Sequence, residues 1–97
     1  MQASVRKYKV DQSQMDEISR RVEETFVSKV AAAPGFVAYY VIDAGNGILI
    51  TVTVGDDPDV VQQSADMAAE FVRDELSHLE IERVEAASGE VTVSKTA

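Results

Sequence analysis

The sequence predicts an α+β domain whose strands and helices follow one another in the order βαββαβ. Two long segments repeat apolar residues at intervals of three or four, which is typical of amphipathic helices. Four short segments are rich in β-branched and aromatic residues, which is typical of strands. Turn-forming residues stand between these segments. Since 97 residues are the size of one domain, we expect residues 1–97 to fold as a single unit.

The first two elements are a strand over Ser4–Val10 and a helix that runs to about Ala33. Asp11 and Ser13 are candidate N-caps for this helix, because their side-chain oxygens can accept hydrogen bonds from backbone N–H groups. Pro34-Gly35 ends the helix, since proline cannot continue it and glycine tolerates the cap geometry. The apolar stripe that should face the core consists of Met15, Ile18, Val22, Phe26, Val30 and Ala33.

The middle of the chain predicts a β-hairpin. Its strands are Phe36–Asp43 and Gly47–Val54, and the loop Ala44-Gly45-Asn46 contains the residues that a tight turn requires. Simple alternation places two sets of residues on opposite faces of the first strand, namely Phe36, Ala38, Tyr40 and Ile42 against Val37, Tyr39 and Val41. In the second strand, alternation sets Ile48, Ile50, Val52 and Val54 against Leu49, Thr51 and Thr53.

A second helix and a last strand complete the order. Asp56-Asp57-Pro58 predicts the start of the helix, with an Asp cap and a proline in the first turn. Its apolar stripe consists of Val61, Ala65, Ala68, Val72, Leu76 and Leu79. The last strand is expected within Ile81–Val93, with an interruption near Ser88-Gly89. This order predicts a ferredoxin-like fold, in which a four-stranded antiparallel sheet carries both helices on one face.

The hairpin strands predict a partner, because both of their faces are mostly apolar. A sheet with one face in water alternates apolar with polar residues, and these strands do not. The two helices can cover one face, so something outside the chain must cover the other. We therefore expect an isologous homodimer in which two sheets pack face to face.

The charge of the chain excludes several classes of partner. Seventeen acidic residues against nine basic ones give a net charge of -8, and residues 51–97 carry all of it. Binding of nucleic acid or of an anionic membrane surface needs clustered Lys and Arg, so neither is expected. The one basic run, Arg6-Lys7-x-Lys9, predicts a solvated face or a sheet edge. Without cysteine, a secretory signal or a bilayer-spanning apolar segment, the chain is expected in the cytoplasm.

Three features of the chain resemble the dimeric α/β-barrel superfamily, and in particular its antibiotic biosynthesis monooxygenase (ABM) type of domain. They are the element order, the segment 33–40 with its Pro-Gly-Phe junction between helix and strand, and the segment 56–72, which is like the family's second helix after its hairpin. The superfamily includes cofactor-independent oxygenases of polycyclic quinol-like substrates, haem-degrading enzymes and members without assigned activity. The resemblance implies a fold, and fold alone does not choose among these activities.

His78, the single histidine, is a candidate catalytic residue. In the haem-degrading branch of the superfamily, a histidine late in the second helix ligates iron, and His78 resembles it in placement. That branch also uses an Asn in the first strand and a Trp in the second helix, whereas Ser4–Val10 holds no Asn and the chain no Trp. The alternative is a histidine at a helix C-terminus, where positive charge is favoured. No metal or other cofactor is expected.

Tyr40 is the second catalytic candidate, and Tyr8, Tyr39, Phe71 and Met67 are candidates for the lining of a pocket. In this architecture, side chains between helices and sheet can enclose a pocket, where a tyrosine hydroxyl could orient or deprotonate a phenolic substrate. Tyr39 and Tyr40 point to opposite faces of the sheet, so only one of them can line a given pocket. Alternatively, the aromatic rings and the methionine only fill the core.

Two function classes stay open at this point. The resemblance implies a cofactor-independent monooxygenase, in which a small aromatic, quinol-like substrate reacts with oxygen directly. A non-catalytic dimeric module that binds a small apolar ligand would have the same fold and need no acid–base group. A third class, a ferredoxin-like amino-acid-sensing domain, is disfavoured because Val10-Asp11-Gln12-Ser13 lacks the glycine that such ligand loops favour.

Overall fold

The computed structural model describes residues 1–97 and confirms the ferredoxin-like βαββαβ fold. Its four strands form one antiparallel sheet in the order β2-β3-β1-β4. The helices pack on one face of this sheet and enclose the core with it. The elements are β1 (Gln2–Val10), a 3₁₀ turn (Gln12–Gln14), α1 (Met15–Arg21), a π-helical turn (Val22–Phe26), α2 (Val27–Ala31), β2 (Phe36–Gly45), β3 (Ile48–Gly55), α3 (Pro58–Glu75) and β4 (Ile81–Glu90).

The first helix is a continuous run over residues 15–31 that comprises α1, the π-helical turn and α2. Asp11 caps the 3₁₀ turn that leads into this helix, because the Asp11 carboxylate accepts hydrogen bonds from the backbone N–H and the hydroxyl of Ser13 at 2.9 and 2.7 Å, whereas α1 itself has no side-chain cap. Ser13 is therefore a donor to the cap and not a second cap. The helix ends at Ala31, slightly before the predicted Ala33. Its apolar stripe is buried, namely Met15, Ile18, Val22, Phe26 and Val30.

The β2–β3 hairpin turns at Asn46-Gly47, whose φ angles are both positive, at 55° and 76°. Positive φ at both turn residues is the geometry of a type I′ turn, which matches the twist of the flanking strands. Gln12 ties this turn to the start of the first helix. Its Oε1 accepts the Gly47 N–H at 2.6 Å, and its Nε2 donates to the Asp43 carboxylate at 3.2 Å. The tip of the hairpin is thereby fixed beside the end of β1.

Replacement of Gly47 by alanine is expected to destabilise the protein by at least about 1–3 kcal/mol. An added Cβ would overlap the backbone carbonyl oxygen of Val10, and the φ of 76° is strained for an L residue. Urea denaturation measures the loss. Gly45→Ala has a φ of 82° but open space around its Cβ, so it isolates the backbone strain, and Gly89→Ala has neither problem. Equal losses at Gly45 and Gly47 would contradict the overlap with Val10.

A β-bulge near the start of β2 corrects one prediction. Phe36 pairs with Gly55 and Ala38 with Val54, so Val37 is an extra residue in this strand. Phe36 therefore packs against the core, whereas simple alternation wrongly placed it on the opposite face from the core residue Tyr39. A bulge shifts the alternation by one residue, which no count of alternate positions can reveal.

The last strand also differs from the prediction. β4 is continuous through Ser88-Gly89, where an interruption was expected, and these residues pair with Ser4 and Ala3 of β1. The irregularity lies earlier, where the register shifts opposite Lys7 and Tyr8. Because β4 pairs with β1 along its whole length, it remains a regular strand at Gly89.

The basic run in β1 occupies a different environment from the one predicted. β1 lies between β3 and β4, so the prediction of a sheet edge was wrong. Arg6 points to the helix-bearing face and is only 6% exposed, so it does not lie on an openly solvated face either. Lys9, by contrast, is exposed on the other face. Alternation within β1 separates charges that the sequence presents as one cluster.

The other face of the sheet has no helix over it, and it is apolar over β2, β3 and the middle of β1, with Lys7 and Lys9 towards the end of β1. Val5, Val52 and Tyr40 form one row across β1, β3 and β2, since Val52 pairs with both of the others. Val5 is 44% and Tyr40 57% exposed, and Ile42 adds a further exposed side chain. We call this surface the helix-free face, formed by Val5, Tyr40, Ile42, Ile50, Val52 and Val54. No helix of the protein has both the length and the apolar character to cross a membrane.

Candidate functional site

A small apolar cavity lies between the helices and the sheet. Its volume is about 30 Å³, and all but one of its twelve lining residues are hydrophobic. Tyr8, Tyr39 and Phe71 of the predicted pocket residues line it, together with Phe26 from the π-helical turn and Thr51. A space of this size holds about one water molecule. The cavity alone is therefore too small for an aromatic ligand.

Three aromatic rings form the inner wall of this cavity. The Phe26 ring lies 5.4 Å from the Tyr39 ring and 5.3 Å from the Phe71 ring, with tilted planes in both pairs. These separations are typical of favourable edge-to-face packing. Phe26 belongs to the π-helical turn, and such turns are uncommon and often occur at functional sites. The turn thus brings the central ring of the cluster against the sheet.

The Tyr39 hydroxyl is suited to donate a hydrogen bond. Burial raises the pKa of Tyr39 to about 12, and the neighbouring Tyr8 adds to the rise, whereas Arg6 and the Thr51 hydroxyl oppose it. A phenol with this pKa keeps its proton at neutral pH, so it is not a general base there. It can instead donate to an oxygen atom on which negative charge develops.

A larger groove opens beside the cavity, between α3 and the strands β1 and β4. Its volume is about 410 Å³, which falls in the range of small-molecule sites. Arg6, Tyr8 and Ala68 line it, with Arg83 at the β4 side. The cavity and the groove have four lining residues in common, Tyr8, Ala68, Val72 and Ile81. An aromatic molecule in the groove would therefore reach the cavity with one end.

Two of the predicted site residues lie away from this groove. Tyr40 lies on the helix-free face, separated from the groove by the thickness of the sheet. Met67 lines a separate depression together with Lys29 and Glu70, and this depression has Phe26 and Phe71 in common with the cavity. Both remain untested as functional residues, and the structure does not bring them together with Tyr8 and Tyr39.

His78 also lies away from the groove. α3 ends at Glu75, so His78 stands in the turn after the helix and not within it. Its Nε2 is 2.9 Å from the carboxylate of Glu17 in α1, and this hydrogen bond is the main cause that lowers the pKa of Glu17. The residue thus connects the end of α3 to the first helix.

His78, the residue that resembles a haem ligand in the sequence, does not belong to this site. No histidine lines the cavity or the groove. No group of three or more His, Cys, Asp or Glu side chains lies close enough to hold a metal ion. The chemistry available in the groove is that of two phenols, two guanidinium groups and an apolar wall.

Arg6 and Arg83 are the groove residues that the sequence analysis missed. The strict alternation of Ser4, Arg6, Tyr8 and Val10 was a usable signal, because it places Arg6 on the same face as the core residue Val10. Arg83 had no such signal, since the register shift in β4 decides which of its side chains face α3.

Comparison with known proteins identifies the fold. The chain matches no protein-family model and none of the curated proteins. Among solved structures, it is similar to a putative antibiotic biosynthesis monooxygenase from Chloroflexus aurantiacus J-10-fl. The identity is 16%, the TM-score is 0.68, and the alignment covers 99% of this chain and 96% of that one. The chain shares the ABM-like fold of this protein.

Other proteins with the ABM-like fold differ in what they bind. SnoaB from Streptomyces nogalater is a cofactor-independent oxygenase, with 13% identity, a TM-score of 0.66 and coverage of 96% of this chain and 94% of that one. A mutant of MhuD, crystallised with two manganese protoporphyrin IX molecules per active site, has 16% identity, a TM-score of 0.71 and coverage of 100% of both chains. At these identities the likeness concerns the ABM-like fold alone.

Proposed function

We propose that this ABM-like protein binds a small aromatic, quinol-like molecule in the groove and promotes its oxygenation without a cofactor. The observation that carries the proposal is the apolar cavity at the inner end of the groove, where a protonated tyrosine, the partly buried Tyr39, is a hydrogen-bond donor. The similar fold of a cofactor-independent oxygenase supports it. One domain over residues 1–97 and a cytoplasmic location belong to the same proposal, supported by the absence of cysteine.

In the proposed reaction the protein has two tasks, to bind the substrate and to stabilise the negative charge that develops on it. A substrate CH₂ group between aromatic rings and one O₂ give a carbonyl group and one water, and the substrate carbon supplies the electrons that O₂ accepts. Loss of a proton makes the substrate electron-rich, and its oxygen then carries negative charge. The Tyr39 hydroxyl can donate to that oxygen, and the apolar wall excludes water. No carboxylate or histidine lines the groove as a general base, so the proton would leave to solvent.

The active form is proposed to be a homodimer through the helix-free face. Large exposed side chains, Val5, Tyr40 and Ile42, gather on this face, and monomeric proteins seldom expose an apolar surface of this kind. A two-fold axis through the face would pair each row of side chains with its copy. The groove opens on the opposite side of the sheet, so each protomer keeps its own site.

Oxygen uptake with anthrone as the substrate, corrected for spontaneous autoxidation, tests the proposed activity. Tyr39→Phe keeps the ring and removes the donor, so turnover is expected to fall by about 100-fold. Tyr40→Phe is the matched control, since the same change on the other face of the sheet should leave turnover unchanged. Turnover that falls equally in both variants, or in neither, would contradict the role given to Tyr39.

A non-catalytic binding module is the second candidate function. The observation that favours it is the lack of a histidine or carboxylate in the groove, because binding needs no general base. This candidate predicts that a non-oxidisable aromatic such as 2-naphthol raises the thermal midpoint while anthrone is not consumed above its spontaneous rate. Accelerated oxygen uptake would exclude it.

A further inference from the structure

Two arginines of the groove have no partner in the protein. The chain has four ion pairs, which involve Arg20, Arg21, Arg73 and His78. Arg6 and Arg83 make none, although acidic residues outnumber basic ones by seventeen to nine. Among the side-chain hydrogen bonds of the protein, the only arginine donor is Arg73. Two guanidinium groups without a counter-charge are therefore unusual in this acidic chain.

Of the two arginines, Arg6 is the stronger indication of an anionic ligand, because most of its surface is buried. Only 6% of its surface is exposed, and what is exposed opens into the groove. A charge removed from water is costly unless an opposite charge or several hydrogen bonds compensate it. The protein supplies neither to Arg6, whose guanidinium nitrogens keep contact with solvent only through the groove. An anion in the groove would supply both.

The strand pairing brings Arg83 to the same place. Arg83 pairs with Tyr8, and Arg6 with Ala86, so the two arginines are diagonal neighbours on adjacent strands. Both line the 410 Å³ groove and also a 540 Å³ extension of it towards the start of α3. Asp59 is the one acidic residue on that extension, and it forms no ion pair with either arginine.

The other residues of the groove restrict the part of the ligand to which the anionic group is attached. Beyond the arginines its wall is formed by six residues, of which four lead into the apolar cavity: Tyr8, Ala68, Val72 and Ile81, with Ala65 and Ala69 completing the wall. A ligand that fills this space has an apolar, ring-sized body and one charged end. The acidic second half of the chain disfavours a group with two negative charges, such as phosphate.

We propose that the groove binds an aromatic carboxylate, with the carboxylate on Arg6 and Arg83 and the ring directed into the cavity. A planar carboxylate has two oxygens that match the forked donors of a guanidinium group. The aromatic ring in the groove is taken from the proposed function, on which this inference rests. The two arginines add that the ligand carries a negative charge. It assigns the two arginines to binding, independently of any oxygenation.

Isothermal titration of the intact protein with 2-naphthoate and 2-naphthamide tests the carboxylate site. The two probes have nearly the same shape and differ in charge. The acid is expected to bind at least about tenfold more tightly than the amide.

The variant Arg83→Gln should remove most of this preference for the acid and leave amide binding unchanged, and Arg83→Lys should restore part of the preference. Arg73→Gln removes an exposed arginine elsewhere on α3 and serves as the matched control. Arg6→Gln extends the test if the variant folds.

The outcomes separate this inference from the proposed oxygenation. Equal binding of acid and amide, or a preference that survives Arg83→Gln, overturns the carboxylate site but leaves the aromatic cavity standing. Failure of both probes to bind also overturns it, as does inorganic phosphate that displaces naphthoate at a lower concentration than benzoate does. Arginine-dependent binding of naphthoate without oxygen uptake from anthrone supports the carboxylate site and counts against the oxygenase alone.

Discussion

Replacement of Val5 by glutamate is expected to convert the protein from a dimer into a monomer. Val5 stands at the middle of the helix-free face, beside Val52, and its 44% exposure lets the longer side chain reach water in the free protomer. In the dimer the new carboxylate would be removed from water, at a cost of several kcal/mol per ion. Because the dimer is two-fold symmetric, it would bury one such group from each protomer. The dissociation constant of the dimer should therefore rise by about a thousandfold or more.

Sedimentation velocity over a range of concentrations measures this effect. The unmodified protein should sediment with twice the mass of the 10.5 kDa chain, and the Val5→Glu variant with the mass of one chain. Val93→Glu adds the same charge at a position that is 87% exposed and outside every strand, so it should remain dimeric. An unmodified protein that sediments as a monomer at micromolar concentration would contradict the proposed dimer.

Replacement of Phe26 by alanine is expected to cost about 3–5 kcal/mol of unfolding free energy. Phe26 is 2% exposed and packs against both Tyr39 and Phe71, so its loss leaves a cavity that the surrounding rings cannot fill. A loss of this size is a large share of the stability of a small protein. The new space would join the existing cavity at the end of the groove.

Urea denaturation at a fixed protein concentration gives the cost, since the midpoint of a dimer depends on concentration. Phe26→Leu keeps most of the volume and should lose less than half as much. Benzene should raise the midpoint of the alanine variant, because an apolar cavity lined by rings binds it, and should not raise that of the unmodified protein. Absence of this benzene effect would show that the helix collapses into the space.

Local sequence signals predicted the parts of the fold that depend on neighbouring residues. Asp57 accepts a hydrogen bond from the Val60 N–H at 3.1 Å and Pro58 opens α3, as the Asp-Asp-Pro sequence indicated. The apolar stripe of the first helix is buried because helical spacing alone places it on one side. The hairpin was equally visible, although its turn lies at Asn46-Gly47, one residue later than the predicted loop centre.

The parts that depend on pairing between distant residues were not visible. The extra residue Val37 in β2 reverses the direction of Phe36, and the register shift in β4 selects Arg83 for the groove. Arg6 appeared to belong to a solvated basic run, because a sequence does not show that β1 lies inside the sheet. Of the residues at the candidate site, Tyr8, Tyr39 and Phe71 were named from the sequence as pocket residues, whereas Phe26 and the two arginines were not.

β4 is an edge strand of the sheet, and several of the acidic residues in the second half of the chain lie on it. β4 pairs only with β1, so the backbone groups along its outer edge are open to a strand of another molecule. Glu82, Glu85 and Glu90 place repeated negative charge along this strand. Like charges oppose the approach of a second β4 edge, which would otherwise extend the sheet from molecule to molecule. The glutamates thereby oppose edge-to-edge growth of the sheet at β4, which leaves other surfaces of the molecule for self-association.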